Sequence, residues 1–423
     1  MQMTRLRNAL MMAAMVPLLA GTAQAATASK SMGGGPTGDL KLERMVMVMR
    51  HSVRPPTKMP ATPAGTTAQP WGTWTTAYGE LTPHGAEGAR LMGVYYRTFL
   101  GARGLLPREG CAASGDIVAW ASGKSRAIKT AEMFVEGLQP GCGLKVAHPD
   151  TEENDPIFHP AEGVDGDIAL KAAQRQKPGV AAEAKVHAAD FAVLQRVLGC
   201  DPATKAGCGI AGKPSQLAPN KGDTPDLGGA LSIASTAGQT VLLEYVEGKP
   251  MAEVGWGRAS KADIQAMLRF HPVKFHYEVG APYIAERYAA PVAKEVLNAL
   301  KGEGGTGGKL TMLVGHDTNI AALRGFLGAH FTAADYPRDD PPPGGAMGFE
   351  LLKDGAGKSF VRAFYTAQSM DQLRELQPLT AGNPPAYAYF KVPGCGVVGE
   401  PTLCPLETFQ KIVGGKLAHP AKN

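Results

Sequence analysis

Apolar residues run without a break from Met45 to Met49, and Leu40 to Met49 reads as a strand covered on both faces. Ile117 to Ala121 and Leu310 to Val314 repeat the pattern and predict two more buried strands. Helical patterns follow each. Leu81-Thr82-Pro83-His84-Gly85 reads as a turn and helix start. Ala86 to Phe99 then carries Leu91, Val94, Tyr95 and Phe99 on one face. Ser125 to Leu138, Ala289 to Leu300 and Asn319 to Leu327 predict further helices. Pro341 to Gly345 turns the chain before Ala346 to Leu352, which reads as an antiparallel strand. Residues 57–80, rich in Pro, Thr and Gly, read as a long loop. Between 145 and 275 the character changes: helical segments alternate with loops such as Pro202 to Pro225, and strand patterns are few.

Strands followed by helices across long gaps predict an α/β fold with a mainly parallel, mixed central sheet flanked by helices. The expected organisation is a large α/β domain, residues 40–144 and 276–423, with a smaller helical domain at 145–275. The chain is 423 residues long, too long for one compact core.

The first 25 residues have the form of an export signal: Arg5 and Arg7, an apolar core from Ala9 to Ala20, then Ala23-Gln24-Ala25 as a cleavage site. That core is too short to span a bilayer comfortably. Residues 26–39 read as a flexible, Gly-rich arm. The expectation is a periplasmic or secreted monomer with no membrane attachment after cleavage. Losing Arg5 and Arg7 and no acid lowers the net charge from +5 to +3. That mild balance has no basic tract and implies no nucleic-acid partner.

The six cysteines are Cys111, Cys142, Cys200, Cys208, Cys395 and Cys404. An even count in an exported chain suggests three disulfides, and sequence alone allows about 15 pairings. Neighbouring pairs are the simplest. No C-x-x-C pair suggests a cysteine metal site.

Chemistry gathers just past the three buried strands. Arg50-His51-Ser52-Val53-Arg54-Pro55-Pro56 follows the first, Lys124 and Arg126 the second, and Gly315-His316-Asp317 the third. In open α/β sheets, ligands collect at the carboxyl ends of strands. If the three ends converge, Arg50, Arg54 and Arg126 surround a phosphate and His316 adds a donor. His51 then faces phosphorus as a nucleophile, and Asp317 is the natural acid for the leaving alkoxide. The arginines supply the charge that a metal would otherwise provide, so no cofactor is expected. Their field disfavours imidazolium and holds Asp317 ionised until the pH falls, which predicts an acid optimum.

The first cluster resembles the R-H-G-x-R-x-P signature of the histidine acid phosphatases, and Gly315 to Asn319 resembles their H-D proton-donor motif in its bacterial phytase form. Similarity extends through Leu81-Thr82-Pro83, Asp155 to Pro160, Gly255-Trp256-Gly257-Arg258 and Pro342 to Gly345. The resemblance implies His51 as nucleophile, Asp317 as proton donor, and Arg50, Arg54, Arg126 and His316 as phosphate ligands. It implies a large α/β domain with a smaller helical one, and disulfides 111–142, 200–208 and 395–404. The implied substrate is a small phosphomonoester, phytate-like or a sugar phosphate. Glucose-1-phosphatase-type action and a non-catalytic phosphate-binding relative are the alternatives.

Two departures stand out. Ser52 replaces the signature glycine, and a side chain beside the phosphate would narrow the pocket; periplasmic glucose-1-phosphatases resembling this chain also lack that glycine. Ser122 and Lys124 occupy positions that are acidic in enterobacterial phytases. Lys58, after Pro56-Thr57, keeps a phytase-like lysine as a substrate-binding candidate, and with Lys124 it favours a highly phosphorylated substrate.

Other features read as structural. Gly123-Lys124-Ser125 ends like a P-loop, but Val118 stands where that motif needs glycine. His271 and His276 do not share a helix face and read as packing or surface residues. His84 reads as a turn residue, Trp71, Trp74 and Trp120 as packing residues, and Asn319 as a brace for the His-Asp motif.

Overall fold

The computed structural model describes residues 40–422 except 153, 159–162, 202, 211 and 221–223. The proposed signal, the Gly-rich arm, His159-Pro160 and parts of the 202–225 loop lie outside the described residues.

The chain order begins with β1 (Lys41–Arg50), α1 (Pro83–Ala102), β2 (Ile117–Ala121) and α2 (Ser125–Leu138). A largely helical stretch follows: α3 (Gly166–Gln174), α4 (Val180–Val186), α5 (Ala188–Val197), the short pair β3 (Gln216–Ala218) and β4 (Asp226–Gly228), and α6 (Ala230–Val246). It continues with α7 (Lys261–Leu268), α8 (Phe270–Glu278), α9 (Pro282–Tyr288) and α10 (Ala290–Lys301). The chain then returns to the sheet with β5 (Leu310–Gly315), α11 (Asp317–Leu327), β6 (Ala346–Lys353) and β7 (Ser359–Ala367). It ends with α12 (Met370–Arg374), β8 (Ala386–Phe390), β9 (Leu403–Pro405) and α13 (Leu406–Ala418). No described helix is long and apolar enough to cross a membrane.

The main sheet runs β2-β5-β1-β6-β7-β8, with β9 also on β7. It is mixed and flanked by helices, as expected. Parallel pairing is confined to β2-β5-β1. From β6 onward the strands pair antiparallel, and a short turn at residues 354–358 joins β6 to β7.

The unbroken apolar run of β1 is explained by burial on both faces. Met45, Met47 and Met49 pack with Met92 and Tyr96 of α1 and Phe134 of α2. Val46 and Val48 point to the other face and join a core with residues of α6, α10 and α11. Residues 145–275 contribute Leu194, Leu242 and Leu268 to that same core.

Helix α1 starts at a built cap: Thr82 Oγ1 accepts the Gly85 N–H at 2.9 Å, and Pro83 opens the helix. Its buried side runs through Met92, Tyr95, Tyr96 and Phe99, and Val94 is exposed. The expected face was thus rotated, because glycines rather than large side chains mark where α1 meets α2. A Cβ on Gly93 would stand 2.0 Å from the Phe134 carbonyl oxygen, and one on Gly137 2.0 Å from that of Arg90. The two backbones touch, and the contact seats the C-terminal end of α2 against α1.

The three disulfides join Cys111–Cys142, Cys200–Cys208 and Cys395–Cys404, the pairing the resemblance implied. His84 donates to the Leu373 carbonyl at 2.7 Å, and Trp71 donates to Thr62 Oγ1 at 3.0 Å; both are structural.

Candidate active site

Parallel pairing aligns the ends of three strands. Arg50 lies beside Gly315, the His51 N–H donates to the Gly315 carbonyl at 2.9 Å, and the Ser122 N–H donates to Val314 at 2.8 Å. The following loops enclose a cavity of about 230 Å³ lined by His51, Arg54, Arg126, His316 and Asp317. Arg126 stands in the first turn of α2, and Asp317 opens α11. Both helix N-termini therefore bring their positive ends to the cavity. The sequence predicted this second helix from Asn319; the earlier start makes Asp317 part of it.

Gly315 cannot carry a side chain. A Cβ there would stand 2.5 Å from the Phe158 ring and 2.9 Å from Asn319 Oδ1. Asn319 holds the turn as expected: its Oδ1 accepts the His316 N–H at 2.9 Å, and its Nδ2 donates to the Phe158 carbonyl at 3.0 Å.

His51 is buried, and its Nδ1 lies 2.9 Å from the Ser52 carbonyl. A carbonyl only accepts, so Nδ1 carries the proton and Nε2 keeps its lone pair. Burial, followed by Arg54, Arg126, His316 and Arg50, holds the His51 pKa well below its ordinary value. The ring stays neutral in mild acid. His316 stands edge-on to it, 5.6 Å away, and is pushed down to about 4 by burial and Arg126 against the pull of Asp317 and Glu152. Its Nε2 lies 3.0 Å from Ser122 Oγ.

Arg54 and Arg126 are the cavity's cations. Burial pushes Arg54 down to about 10, with Arg50 adding to the effect, and lowers Arg126. The Nε of each is buried with no hydrogen-bond partner among the described residues. Buried donors lacking an acceptor fit a site built for a multivalent oxyanion.

Asp317 is ionised. Burial alone would raise its pKa, but Arg50 first, then His271, His51 and Arg54, draw it well below the usual carboxylate range. Arg50 Nη2 lies 2.9 Å from Asp317 Oδ2. Arg50 Nη1 also donates to the Pro341 carbonyl at 2.7 Å and Nη2 to Gln239 Oε1 at 3.1 Å, while its Nε is buried with no hydrogen-bond partner among the described residues. Arg50 is not among the residues that line the cavity.

Lys58 is exposed and does not line the cavity. Lys124 is paired with Glu152 at 2.5 Å. Ser52 turns away from the cavity: a Cβ on Gly88 would stand 3.7 Å from its hydroxyl, and one on Gly344 3.8 Å. The expected narrowing of the pocket by Ser52 does not occur.

Sequence reasoning missed several neighbours. Glu152, Phe158, Tyr288 and Thr318 also line the cavity; Thr318 and Phe158 lie in segments that carry the resemblance but were given no role, and Glu152 and Tyr288 lie in none. His271, read as a packing residue, places Nε2 3.7 Å from Asp317 Oδ2 and Nδ1 2.6 Å from Asp340 Oδ1. Among the described residues, no cluster of three or more His, Cys, Asp or Glu side chains is arranged to hold a metal.

Comparison with known proteins agrees with this geometry. Residues 41–205 match the histidine phosphatase superfamily, branch 2. A phytase of Escherichia coli K12 is 32% identical over 400 residues, covering 89% of this chain and 92% of that protein. A glucose-1-phosphatase of Salmonella typhimurium is 28% identical, covering 88% of this chain and 92% of its own. The structure of Hafnia alvei phytase in complex with tartrate superposes with a TM-score of 0.82 at 32% identity, covering 89% of this chain and 97% of that one. The chain belongs to the histidine phosphatase superfamily, branch 2, and is an acid phosphatase that hydrolyses phosphomonoesters.

Proposed function

We propose that the chain is an exported, monomeric phytase-like phosphatase that works through a phosphohistidine on His51. The observation that carries this reading is the neutral His51 with Nε2 free, in a cavity whose buried arginine donors lack acceptors. In the reaction, Nε2 attacks phosphorus and forms a P–N bond as the P–O ester bond breaks. Asp317 gives its proton to the leaving oxygen. Water then attacks phosphohistidine, Asp317 takes a proton from it, and phosphate leaves. Arg54 and Arg126 hold the equatorial oxygens with His316. Arg50 acts on the phosphate's charge without lining the cavity. A bound dianion offsets the arginine field and so raises the pKa of His316 and Asp317 together, making the first a donor and the second an acid. The helical stretch 145–275 is assigned as a smaller domain over the site. The leading sequence and the disulfides support export to the periplasm.

A glucose-1-phosphatase-type enzyme is the second reading. Glu152, lining the cavity with Lys124 held in an ion pair, adds negative charge where a second phosphate of a polyphosphorylated substrate would lie. Steady-state rates on phytate, glucose 1-phosphate and p-nitrophenyl phosphate decide between the two. Phytate is the preferred substrate on the leading reading and glucose 1-phosphate on the second.

Asp317→Asn is expected to slow glucose 1-phosphate by about 100-fold or more, and p-nitrophenyl phosphate much less, since nitrophenolate leaves without a proton. Equal losses on both would remove Asp317 as the acid. His51→Ala should abolish turnover and phosphoenzyme trapping. A pH–rate profile peaking above neutrality would contradict the neutral-histidine mechanism.

A further inference from the structure

We propose that His271, oriented by Asp340, supplies Asp317 with the proton that Asp317 passes to the leaving group. The proposal rests on the assignment of Asp317 as the acid. It begins from a difficulty in that assignment: the carboxylate facing the cavity is ion-paired with Arg50 at 2.9 Å and is ionised before substrate arrives. An ionised carboxylate has no proton to give.

His271 lies on α8, is 5% exposed, and is not among the residues that line the cavity. Its Nδ1 is 2.6 Å from Asp340 Oδ1, and its Nε2 is 3.7 Å from Asp317 Oδ2. Asp340 is fully buried, and its Oδ2 has no hydrogen-bond partner among the described residues. A buried carboxylate with a single donor calls for a cationic partner. The other groups facing this pair are Arg50 from β1, the Phe275 ring on α8 at 4.6 Å, and the buried phenols Tyr336 and Tyr365 beside Asp340. A phosphate dianion entering the cavity attracts positive charge, and passing one proton from His271 to Asp317 moves a unit of positive charge towards it.

The step balances. The N–H bond at His271 Nε2 breaks as the O–H bond at Asp317 Oδ2 forms. That proton goes to the leaving oxygen as the P–O bond breaks. In dephosphorylation Asp317 takes a proton from the attacking water and returns it to His271 Nε2. A small rotation of the Asp317 carboxyl closes the 3.7 Å gap; catalytic hydrogen bonds are often long before substrate binds. Asp340 fixes the ring and its tautomer, as a buried carboxylate does for a catalytic imidazole. His271 acts through Asp317 and does not touch substrate.

The test compares His271→Asn, whose amide keeps a donor towards Asp340 but has no proton at the Nε2 position, with wild type in the full chain. The expected result is a fall in kcat of about tenfold or more on glucose 1-phosphate, under about threefold on p-nitrophenyl phosphate, and a shift of the alkaline limb of the kcat profile to lower pH. Equal losses on both esters with an unmoved limb would overturn the proposal and leave His271 a packing residue. If His271→Asn does not fold, Asp340→Asn should move the same limb in the same direction, and an unmoved limb there overturns it equally. Failure of the underlying reading is distinct: in that case Asp317→Asn itself shows no dependence on the leaving group.

Discussion

Ser52 stands where the family signature has glycine, yet it is compatible with the site because its side chain turns towards α1. Its backbone N–H donates to Thr130 Oγ1 at 3.1 Å, and its hydroxyl is buried without a partner. Ser52→Gly should therefore leave KM for p-nitrophenyl phosphate within about twofold, and Ser52→Ala should stabilise by about 1 kcal/mol by removing an unsatisfied hydroxyl. A tenfold change in KM in either variant would put the side chain back in the pocket. His51, Arg54, Arg126, His316 and Asp317 were legible in the sequence because each stands just after a buried strand or in the first turn of the helix that follows. His271 and Asp340 were not. They are 69 positions apart, and His271 reaches Asp317 through the packing of α8 on α11, which leaves no local pattern to read. Glu152 was missed for the same reason, since its position is set by a loop and not by an element.

At the scale of elements, the α1–α2 contact seats the C-terminal end of the helix that carries Arg126 in its first turn. Glycine costs a helix about 1 kcal/mol per residue relative to alanine. Gly93 and Gly137 incur that cost and in return let the backbones meet. Gly93→Ala should push α2 away, destabilise by about 1–3 kcal/mol in urea unfolding, and raise KM more than it lowers kcat, because Arg126 moves with the helix. Unchanged KM in a destabilised variant would separate the helix contact from the site. Strong apolar runs made β1, β2 and β5 readable, and capping signals made α1 readable. The meeting of helices through glycine was hidden, because periodicity marks large apolar side chains and not their absence, and so Val94 was assigned to the core although it is exposed. The strands after β6 drew no prediction; their pairing in the sheet is non-local.

At the scale of the whole molecule, buried titratable groups oppose one another. Burial first of all holds His51 and His316 below the ordinary histidine value, the second at about 4. Unfolding lets these histidines take up protons as the pH falls through about 6.5, which costs the folded state stability in acid. Burial also pushes Glu244 and Glu278 up to about 7. The folded chain holds protons on these two that the unfolded chain releases above about 4.5, so their contribution is greatest in acid and lost as the pH rises through 7. His276 is lowered and Glu247 raised, adding a third opposed pair. Between about pH 4.5 and 6.5 the two effects cancel, and stability to urea should be nearly flat. Replacing Glu244 and Glu278 together by Gln should restore a slope, stability decreasing as the pH is lowered by about 1.4 kcal/mol per unit for each uncompensated histidine. Parallel curves for variant and wild type would refute the balance. The order β2-β5-β1 also governs assembly in time. β1 and β2 do not pair with each other, and both wait for β5, which begins at residue 310. The bond between Cys111 and Cys142 spans 31 residues and can close long before that. A chain halted short of residue 310 holds its nucleophile just past a strand that still lacks its β5 neighbour. The part of the enzyme written first is thus among the last to take shape, and a truncated copy is a source of exposed β edge rather than of partial activity.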